Sequence, residues 1–293
     1  MKFLPLLSFA LLASAQSKPS SSQVIAHAAY INPIGDPTAW SRMIASPSNK
    51  VGLLVANPNN GPDASVNADY ATVITQTVGS GKKLLGYVRT GYLSLSADRF
   101  TTRSGSTTID AWKTQIKGDI DLWYQLDPNI SGIFFDECWN QCGSSNEFAQ
   151  VYKDLSNYVK NKSPGAYTVA NPGATIPQCY ENAVDTLMSF EGSFDTYNNA
   201  YVANDWTSST RNKVWHLVYN VPEDQVSKVA ALAKQRGADL IGITNGNLPN
   251  PYNTLPSANY EQKFENAVSG GSLTAAAASR RSAKFRRLAS WNL

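Results

Sequence analysis

The chain of 293 residues has little of several residue types on which common enzyme classes depend. It contains two histidines and three cysteines, and only 16% of its residues are charged. It has no Gly-x-Ser-x-Gly elbow, no phosphate-binding glycine loop and no Gly-x-Gly-x-x-Gly after its first apolar run, which argues against serine hydrolases and nucleotide-binding enzymes. Because 42% of the residues are hydrophobic, the chain is typical of a globular protein and not of a disordered one.

Charge is also scarce in the body of the chain. The formal net charge is +3, but five of the cations lie from Gly270 onward and one is Lys2, so the body between these ends carries a net charge of −3. A basic surface for nucleic acid is therefore not expected.

The two ends of the sequence differ from the rest in composition. Residues 1–15 read as a secretory signal peptide, with a lysine, a short apolar run and Ala13-Ser14-Ala15. We predict a flexible leader over 16–23, a single domain over 24–269 and a low-complexity basic tail over 270–293. No run after the signal approaches the roughly 18 apolar residues of a membrane helix, so we expect no membrane span and a secreted or cell-surface protein.

The three cysteines are Cys138, Cys142 and Cys179. In an oxidising compartment they predict one disulfide and one remaining thiol, with the pairing left open. Their spacing does not match a zinc site, and we expect no metal and no cofactor.

Short apolar runs alternate with longer helical patterns along the chain. The candidate strands are Val24–Tyr30, Val51–Ala56, Leu84–Val88, Gly132–Phe135, Tyr167–Ala170, Thr186–Phe190, Val214–Val218 and Leu240–Thr244. Most are apolar throughout, as strands covered on both faces are. Eight such repeats predict a (β/α)₈ barrel of the TIM type, with an open doubly wound sheet as the competing architecture.

Acidic residues follow two of these strands directly. Asp136 and Glu137 end the fourth strand, and Glu191 follows the sixth. A barrel places its active site at the carboxyl ends of its strands, and glycoside hydrolysis needs two carboxyl groups at the scissile bond. Capping of a helix or pairing with Arg89 is the structural alternative. A structural role is a stronger alternative for Glu137 than for Asp136. Neighbouring side chains on a strand point to opposite sides, so the two acids are not expected to face the same site.

Polar and aromatic residues at the other strand ends suit a sugar, since rings stack on pyranose faces and amides bond to hydroxyl groups. The candidate substrate-binding residues are Tyr30, Tyr87, Arg89, Tyr92, Asn171, Tyr197 and Asn245.

Several segments together resemble one known family. Gly86-Tyr87-Val88-Arg89-Thr90-Gly91-Tyr92 and Phe134-Phe135-Asp136-Glu137 are the most specific, and Asn171-Pro172-Gly173 and Phe190-Glu191-Gly192 follow in order. These resemble the spherulin-4-like proteins, glycoside hydrolase family 135. The resemblance implies a secreted barrel enzyme that cleaves galactosaminogalactan, an α-1,4-linked polymer of galactose and N-acetylgalactosamine.

The resemblance also implies roles for the acids. Asp136 would be the nucleophile of a retaining mechanism, Glu191 the general acid and base, and Glu137 a supporting residue. The expected partner is the polysaccharide, and the protein is expected to be a monomer. Two alternatives remain: cleavage of deacetylated galactosamine stretches, and a non-catalytic carbohydrate-binding protein of the cell surface.

Overall fold

The computed structural model describes residues 22–208 and 210–273, so the predicted signal peptide and most of the basic tail lie outside the described residues. The strands are β1 (Val24–Ala29), β2 (Val51–Ala56), β3 (Lys83–Arg89), β4 (Gly132–Asp136), β5 (Tyr167–Ala170), β6 (Thr186–Ser193), β7 (Val214–Tyr219) and β8 (Leu240–Ile243). The helices are α1 (Pro37–Ala45), α2 (Ala68–Gly79), α3 (Ile109–Leu126), α4 (Glu147–Lys162), α5 (Phe194–Asn199), α6 (Val226–Gln235) and α7 (Ala258–Ala267).

The eight strands pair in parallel and in sequence order, and β1 closes the ring against β8. The predicted (β/α)₈ barrel is therefore confirmed, with one variation. The connection between β5 and β6 carries only a short 3₁₀ turn, Gln178–Tyr180, in place of an α-helix. The other connections bring helices to the outside of the ring, and their ends follow local capping rules: Asp36 and Thr108 accept hydrogen bonds from the first turns of α1 and α3.

The barrel has two apolar layers, one inside the ring and one between the strands and the helices. Residues in the inner layer include Leu53, Val55, Leu85, Phe134, Val169, Met188, Trp215 and Leu217. The outer layer contains the apolar faces of the helices, including Trp112 and Trp123, which are 0% and 1% exposed. Because both faces of each strand are buried, the strands read as nearly continuous apolar runs.

The segments that flank the predicted domain also contact the barrel. Gln23 is 1% exposed and pairs with Gly270, and the N–H group of Gly271 donates to Asn49 O at 2.8 Å. Leu273 packs partly against the inner layer at the amino-terminal end of the ring. These contacts extend the packed unit one residue before and four residues beyond the predicted bounds of 24 and 269.

Two further predictions concern cysteines and membranes. Cys142 and Cys179 form a disulfide and Cys138 is a buried thiol, which confirms one bridge and one remaining thiol. Within the described residues, no helix combines the length and apolar character needed to cross a membrane.

Candidate active site

Asp136 is the last residue of β4, and it points into the mouth of the barrel. Phe134, two residues earlier, belongs to the inner layer, and strand alternation puts Asp136 on the same side. The carboxyl group accepts hydrogen bonds from the Tyr87 hydroxyl group at 2.6 Å and from Asn171 Nδ2 at 2.7 Å. Burial, followed by the negative charge of Glu191, raises the pKa of Asp136 to about 7.

Glu191 reaches the same mouth because of an irregularity in β6. Simple alternation from the inner residue Met188 would turn Phe190 inward and Glu191 outward. The pairing with β7 instead shifts between Met188 and Phe190, so that Phe190 pairs with His216 and Glu191 pairs with the inner residue Leu217. This β-bulge, which leaves one extra residue in β6, turns the Glu191 side chain into the barrel.

The side chain of Asn171 joins the two acids. Its Nδ2 atom lies 2.7 Å from Asp136 Oδ1 and 2.7 Å from Glu191 Oε2, so these two oxygens are at most about 5.4 Å apart. Retaining glycosidases hold their carboxyl groups about 5–5.5 Å apart and inverting ones about 6.5–9.5 Å apart. The upper limit of about 5.4 Å places these two oxygens closer together than the range of inverting enzymes.

Glu137 has a different environment from its neighbour. Its backbone is left-handed, with φ of 53°, and Oε2 accepts a hydrogen bond from Arg89 Nε at 2.6 Å. The Arg89 guanidinium group also lies over the Phe100 ring, 4.8 Å from its centre. This ion pair is the structural alternative named from the sequence, and it sits directly beside the acids.

A strained turn brings Tyr92 to this side of the mouth. Gly91, Tyr92, Leu93 and Ser94 have consecutive φ values of 56°, 49°, 53° and 58°, a left-handed turn that is unfavourable for residues with a Cβ atom. The Trp112 ring occupies the space where a Cβ atom on Gly91 would lie, so only glycine fits at the start of this turn. Burial and the charges of Asp136, Glu137 and Glu191 raise the pKa of Tyr92 to about 12, which agrees with a phenol close to the acids.

A cleft of about 310 Å³ opens beside Glu191 on the side of β8, β1 and β2. Tyrosine and amide side chains dominate its lining, which includes Tyr30, Asn57, Asn60, Tyr87, Tyr219, Asn250 and Tyr252. The Tyr30 ring meets the rings of Tyr87 and Tyr252 edge-on, with centres 5.6 Å and 5.7 Å apart. Glu191 is the only charged residue in this lining. The cleft thus combines rings and neutral hydrogen-bonding groups next to two acids.

The loops that carry the site are tied together. The disulfide between Cys142 and Cys179 joins the connection after β4 to the connection after β5 and closes 37 residues of chain. In the chain-entropy model, a disulfide that closes a loop of this length stabilises the folded state by about 4 kcal/mol. The Tyr180 hydroxyl group adds a hydrogen bond to Trp139 O at 2.6 Å.

Eight of the ten predicted site residues lie together at this mouth. They are Asp136, Glu137, Glu191, Tyr30, Tyr87, Arg89, Tyr92 and Asn171. Within the described residues there is no group of three or more histidine, cysteine, aspartate or glutamate side chains arranged to hold a metal ion.

Tyr197 requires a correction. It is 0% exposed on α5, behind the barrel wall, where its hydroxyl group bonds to His216 Nδ1 at 2.8 Å. The reason is that β6 ends at Ser193 and α5 begins at once, so the Tyr197 ring packs on the outward face of Phe190. This residue has no access to a substrate.

Asn245 follows β8 as predicted, but it is exposed and is not among the residues that line the cleft. The same loop instead contributes Tyr252, whose hydroxyl group donates to Glu191 Oε1 at 2.8 Å. The sequence reading missed Tyr252. Tyr252 could have been predicted, because it is an aromatic residue in the loop after a barrel strand, as the other candidate tyrosines are.

Comparison with known proteins places the chain in a family. The family model described as spherulation-specific family 4 matches residues 24–268. The chain belongs to this family. Spherulin-4 of Physarum polycephalum is 25% identical over 167 residues, which cover 56% of this chain and 44% of that protein, so the match spans less than half of the relative.

Solved structures share the family's fold. Sph3 of Aspergillus clavatus, solved in complex with GalNAc, has a TM-score of 0.64 and 22% identity over 85% of this chain and 97% of its own. A chitinase from Bacteroides thetaiotaomicron has a TM-score of 0.50 and 10% identity over 85% and 96% of the two chains. At these identities the likeness supports the barrel architecture alone.

Proposed function

We propose that this protein is a secreted, endo-acting glycoside hydrolase that cleaves α-1,4-linked N-acetylgalactosamine in galactosaminogalactan with retention of configuration. The observation that carries the proposal is the pair of carboxyl groups held by Asn171, with oxygens at most about 5.4 Å apart beside an open cleft. Two carboxyl groups at this separation suffice for double displacement at a sugar carbon, without a cofactor.

Retaining hydrolysis begins with one carboxyl group ionised, to attack the anomeric carbon, and the other protonated, to donate to the leaving oxygen. Burial and the charge of Glu191 raise the pKa of Asp136 to about 7, which taken alone favours Asp136 as the proton donor of the free protein. The role assignment rests instead on the family resemblance, by which Asp136 is the nucleophile and Glu191 the general acid and base, with Glu137 in support.

The lining of the cleft supports a neutral amide sugar. Neutral side chains from Tyr30, Asn57, Asn60 and Asn250 offer rings and both hydrogen-bond donors and acceptors. Sph3, which shares the fold, was solved with GalNAc bound. Cleavage of deacetylated, cationic stretches is the second candidate, because Glu191 is the only charged group of the lining and it is acidic.

The same proposal covers the remaining organisation of the chain. Residues 1–15 direct secretion, 16–23 form a leader, and the basic tail over 270–293 follows the catalytic domain. The protein acts as a monomer outside the cell or at its surface, on a polysaccharide partner.

The decisive experiment replaces each acid by its amide and measures release of oligosaccharides from galactosaminogalactan. Asp136→Asn and Glu191→Gln should each lower kcat/KM by about a hundredfold to ten-thousandfold, while Asp110→Asn, an exposed carboxyl group on α3, should not change it. Release that is unchanged in both acid variants would refute the assignment.

The products resolve the finer points. Mass analysis separates acetylated from deacetylated cleavage, and NMR of the first anomer formed separates retention from inversion. A wild-type protein that binds the polymer without cleaving it would instead be a carbohydrate-binding protein of the cell surface.

A further inference from the structure

Tyr252, Tyr87 and Asn171 contact the two acids in a pattern that the sequence did not suggest. We propose that Tyr252 is a positioning residue for Glu191, as Tyr87 is for Asp136, and that Asn171 holds both acids at once. The expected effects on catalysis rest on the proposed function, whereas the hydrogen bonds between these residues do not depend on it. It also reassigns Tyr87 and Asn171, which were expected to bind substrate.

The orientation of the Asn171 amide is determined by its own surroundings. The backbone N–H group of Gly173 donates to Asn171 Oδ1 at 2.8 Å, so the NH₂ group is the end that faces the acids. Its two hydrogens are directed at Asp136 Oδ1 and Glu191 Oε2. With both hydrogens engaged, the amide has no donor left for a sugar hydroxyl group.

The two outer carboxyl oxygens each have a tyrosine of their own. The Tyr87 hydroxyl group lies 2.6 Å from Asp136 Oδ2, and the Tyr252 hydroxyl group lies 2.8 Å from Glu191 Oε1. Both rings are largely buried, at 3% and 8% exposed, and the Tyr30 ring packs edge-on against each of them. The tyrosines therefore cannot turn away without disturbing a shared aromatic cluster.

This pattern favours particular oxygens for a proton on either acid. An amide N–H group can only donate, and the hydroxyl oxygen of a carboxylic acid is a weaker acceptor than its carbonyl oxygen, so a proton is disfavoured on Asp136 Oδ1 and Glu191 Oε2 while Asn171 bonds to them. A phenol hydroxyl group can donate or accept, so a proton fits on Asp136 Oδ2 or Glu191 Oε1. On Glu191 the proton then lies beside Tyr252, at the oxygen next to the cleft residues.

Other titratable groups surround the pair, and the tyrosines among them stay neutral because burial raises the pKa values of Tyr30, Tyr87 and Tyr252 well above the usual value. The groups that face the two acids are Tyr30, Tyr87, Tyr92, Glu137, Cys138 and Tyr252. Arg89 and Tyr219 lie one contact further out, against Tyr87 and Tyr252. These three tyrosines therefore act on the acids as hydrogen-bonding groups and not as charges around neutral pH.

The first test needs no substrate: the titration of the Asp136 carboxyl carbon is followed by ¹³C NMR in Tyr87→Phe and Tyr252→Phe. Tyr87→Phe removes a donor from ionised Asp136, so its pKa should rise by about one unit. Tyr252→Phe removes the donor that holds Glu191 Oε1, so the Glu191 carboxyl group can turn and its charge can move relative to Asp136. Because the Glu191 charge raises the Asp136 pKa, that pKa should shift by about half a unit to one unit in this variant.

The matched control is Tyr158→Phe, which removes a tyrosine hydrogen bond of 2.8 Å to Asp121 on the surface of α4 and should leave the Asp136 titration unchanged. Phenylalanine keeps the ring contacts of either buried tyrosine, so both site variants should fold. A shift of the Asp136 titration in both site variants supports the inference whether or not the protein cleaves galactosaminogalactan. If the Asp136 titration in Tyr252→Phe equals that in the Tyr158→Phe control, the inference is overturned.

The second test separates positioning from substrate binding. With galactosaminogalactan as substrate, Tyr252→Phe should lower kcat by about tenfold to a hundredfold and change KM by less than about twofold. A raised KM with unchanged kcat would make Tyr252 a substrate-binding residue and overturn the inference. An inactive wild-type protein would refute the proposed function but leave the NMR result to decide on Tyr252.

Discussion

The two faces of the wall formed by β6 and β7 both carry buried ionisable groups, but the groups are arranged differently. On the inner face, Glu191 shares donors with Asp136 and borders a cleft of about 310 Å³. On the outer face, His216 bonds to Tyr197 beside a cavity of about 40 Å³. Burial alone therefore does not distinguish the two faces; the inner face differs because it holds two acids together next to open space.

The two faces also respond to pH in opposite directions. Burial and the charge of Glu191 raise the Asp136 pKa to about 7, whereas burial and the charge of Arg236 lower the His216 pKa to about 3. A carboxyl group with a raised pKa destabilises the fold as pH rises, and an imidazole with a lowered pKa destabilises it as pH falls. Asp136 on the inner face thus titrates near neutral pH, whereas His216 on the outer face is uncharged there.

The largest expected effect concerns the inner face. Asp136→Asn removes a group that is protonated in the folded state up to about pH 7 but ionised in the unfolded state above about pH 4. As pH rises through that window, the free energy of unfolding of the wild type therefore falls. The variant should be more stable than the wild type by about 2–4 kcal/mol at pH 8 and by little at pH 4. Urea denaturation at both pH values measures this, and an equal effect at the two values would contradict it.

The second effect concerns the outer face and has the opposite sign. Unfolded His216 binds a proton below about pH 6.5 while the folded state does not, so His216 by itself lowers the free energy of unfolding by about 3 kcal/mol between pH 6.5 and pH 4, while Asp136 changes it in the opposite direction. The double variant His216→Leu with Tyr197→Phe removes both polar partners, so relative to wild type it should become more stable as pH falls over this range. An equal change of wild type and variant in urea would rule out a contribution from His216.

The smallest effect tests the corrected position of Tyr197. Tyr197→Phe leaves His216 Nδ1 without its partner and should lower the free energy of unfolding by about 1–2 kcal/mol. Because Tyr197 is fully buried behind the wall, kcat and KM should stay unchanged. A raised KM for the polysaccharide would restore Tyr197 to the substrate site.

Much of the architecture was predictable because it depends on local patterns. Strands buried on both faces read as apolar runs, and their number and alternation with helices predicted the barrel. The barrel in turn predicted that residues after the strands would meet, which brought Asp136, Glu191 and Asn171 together. The prediction for Tyr197 was wrong because aromatic composition does not indicate on which side of the barrel wall a ring packs.

Other features could not be read from the chain. Alternation from Met188 would place Glu191 outside the barrel, and only the bulge in β6 reverses this. The pairing of Cys142 with Cys179 left Cys138 as the thiol, where three cysteines allow three pairings. The contact of Tyr252 with Glu191 joins residues 61 positions apart.

The sequence by itself determined the class of fold, the acids and the strand ends on which they lie, since these follow from hydrophobic periodicity and from residue chemistry. The tertiary structure alone decided which oxygen of each acid meets which donor, and which tyrosines belong to the mouth. The physical reason is that hydrogen bonds depend on distances of a few tenths of an ångström between side chains, which are set by the closure and register of the whole ring.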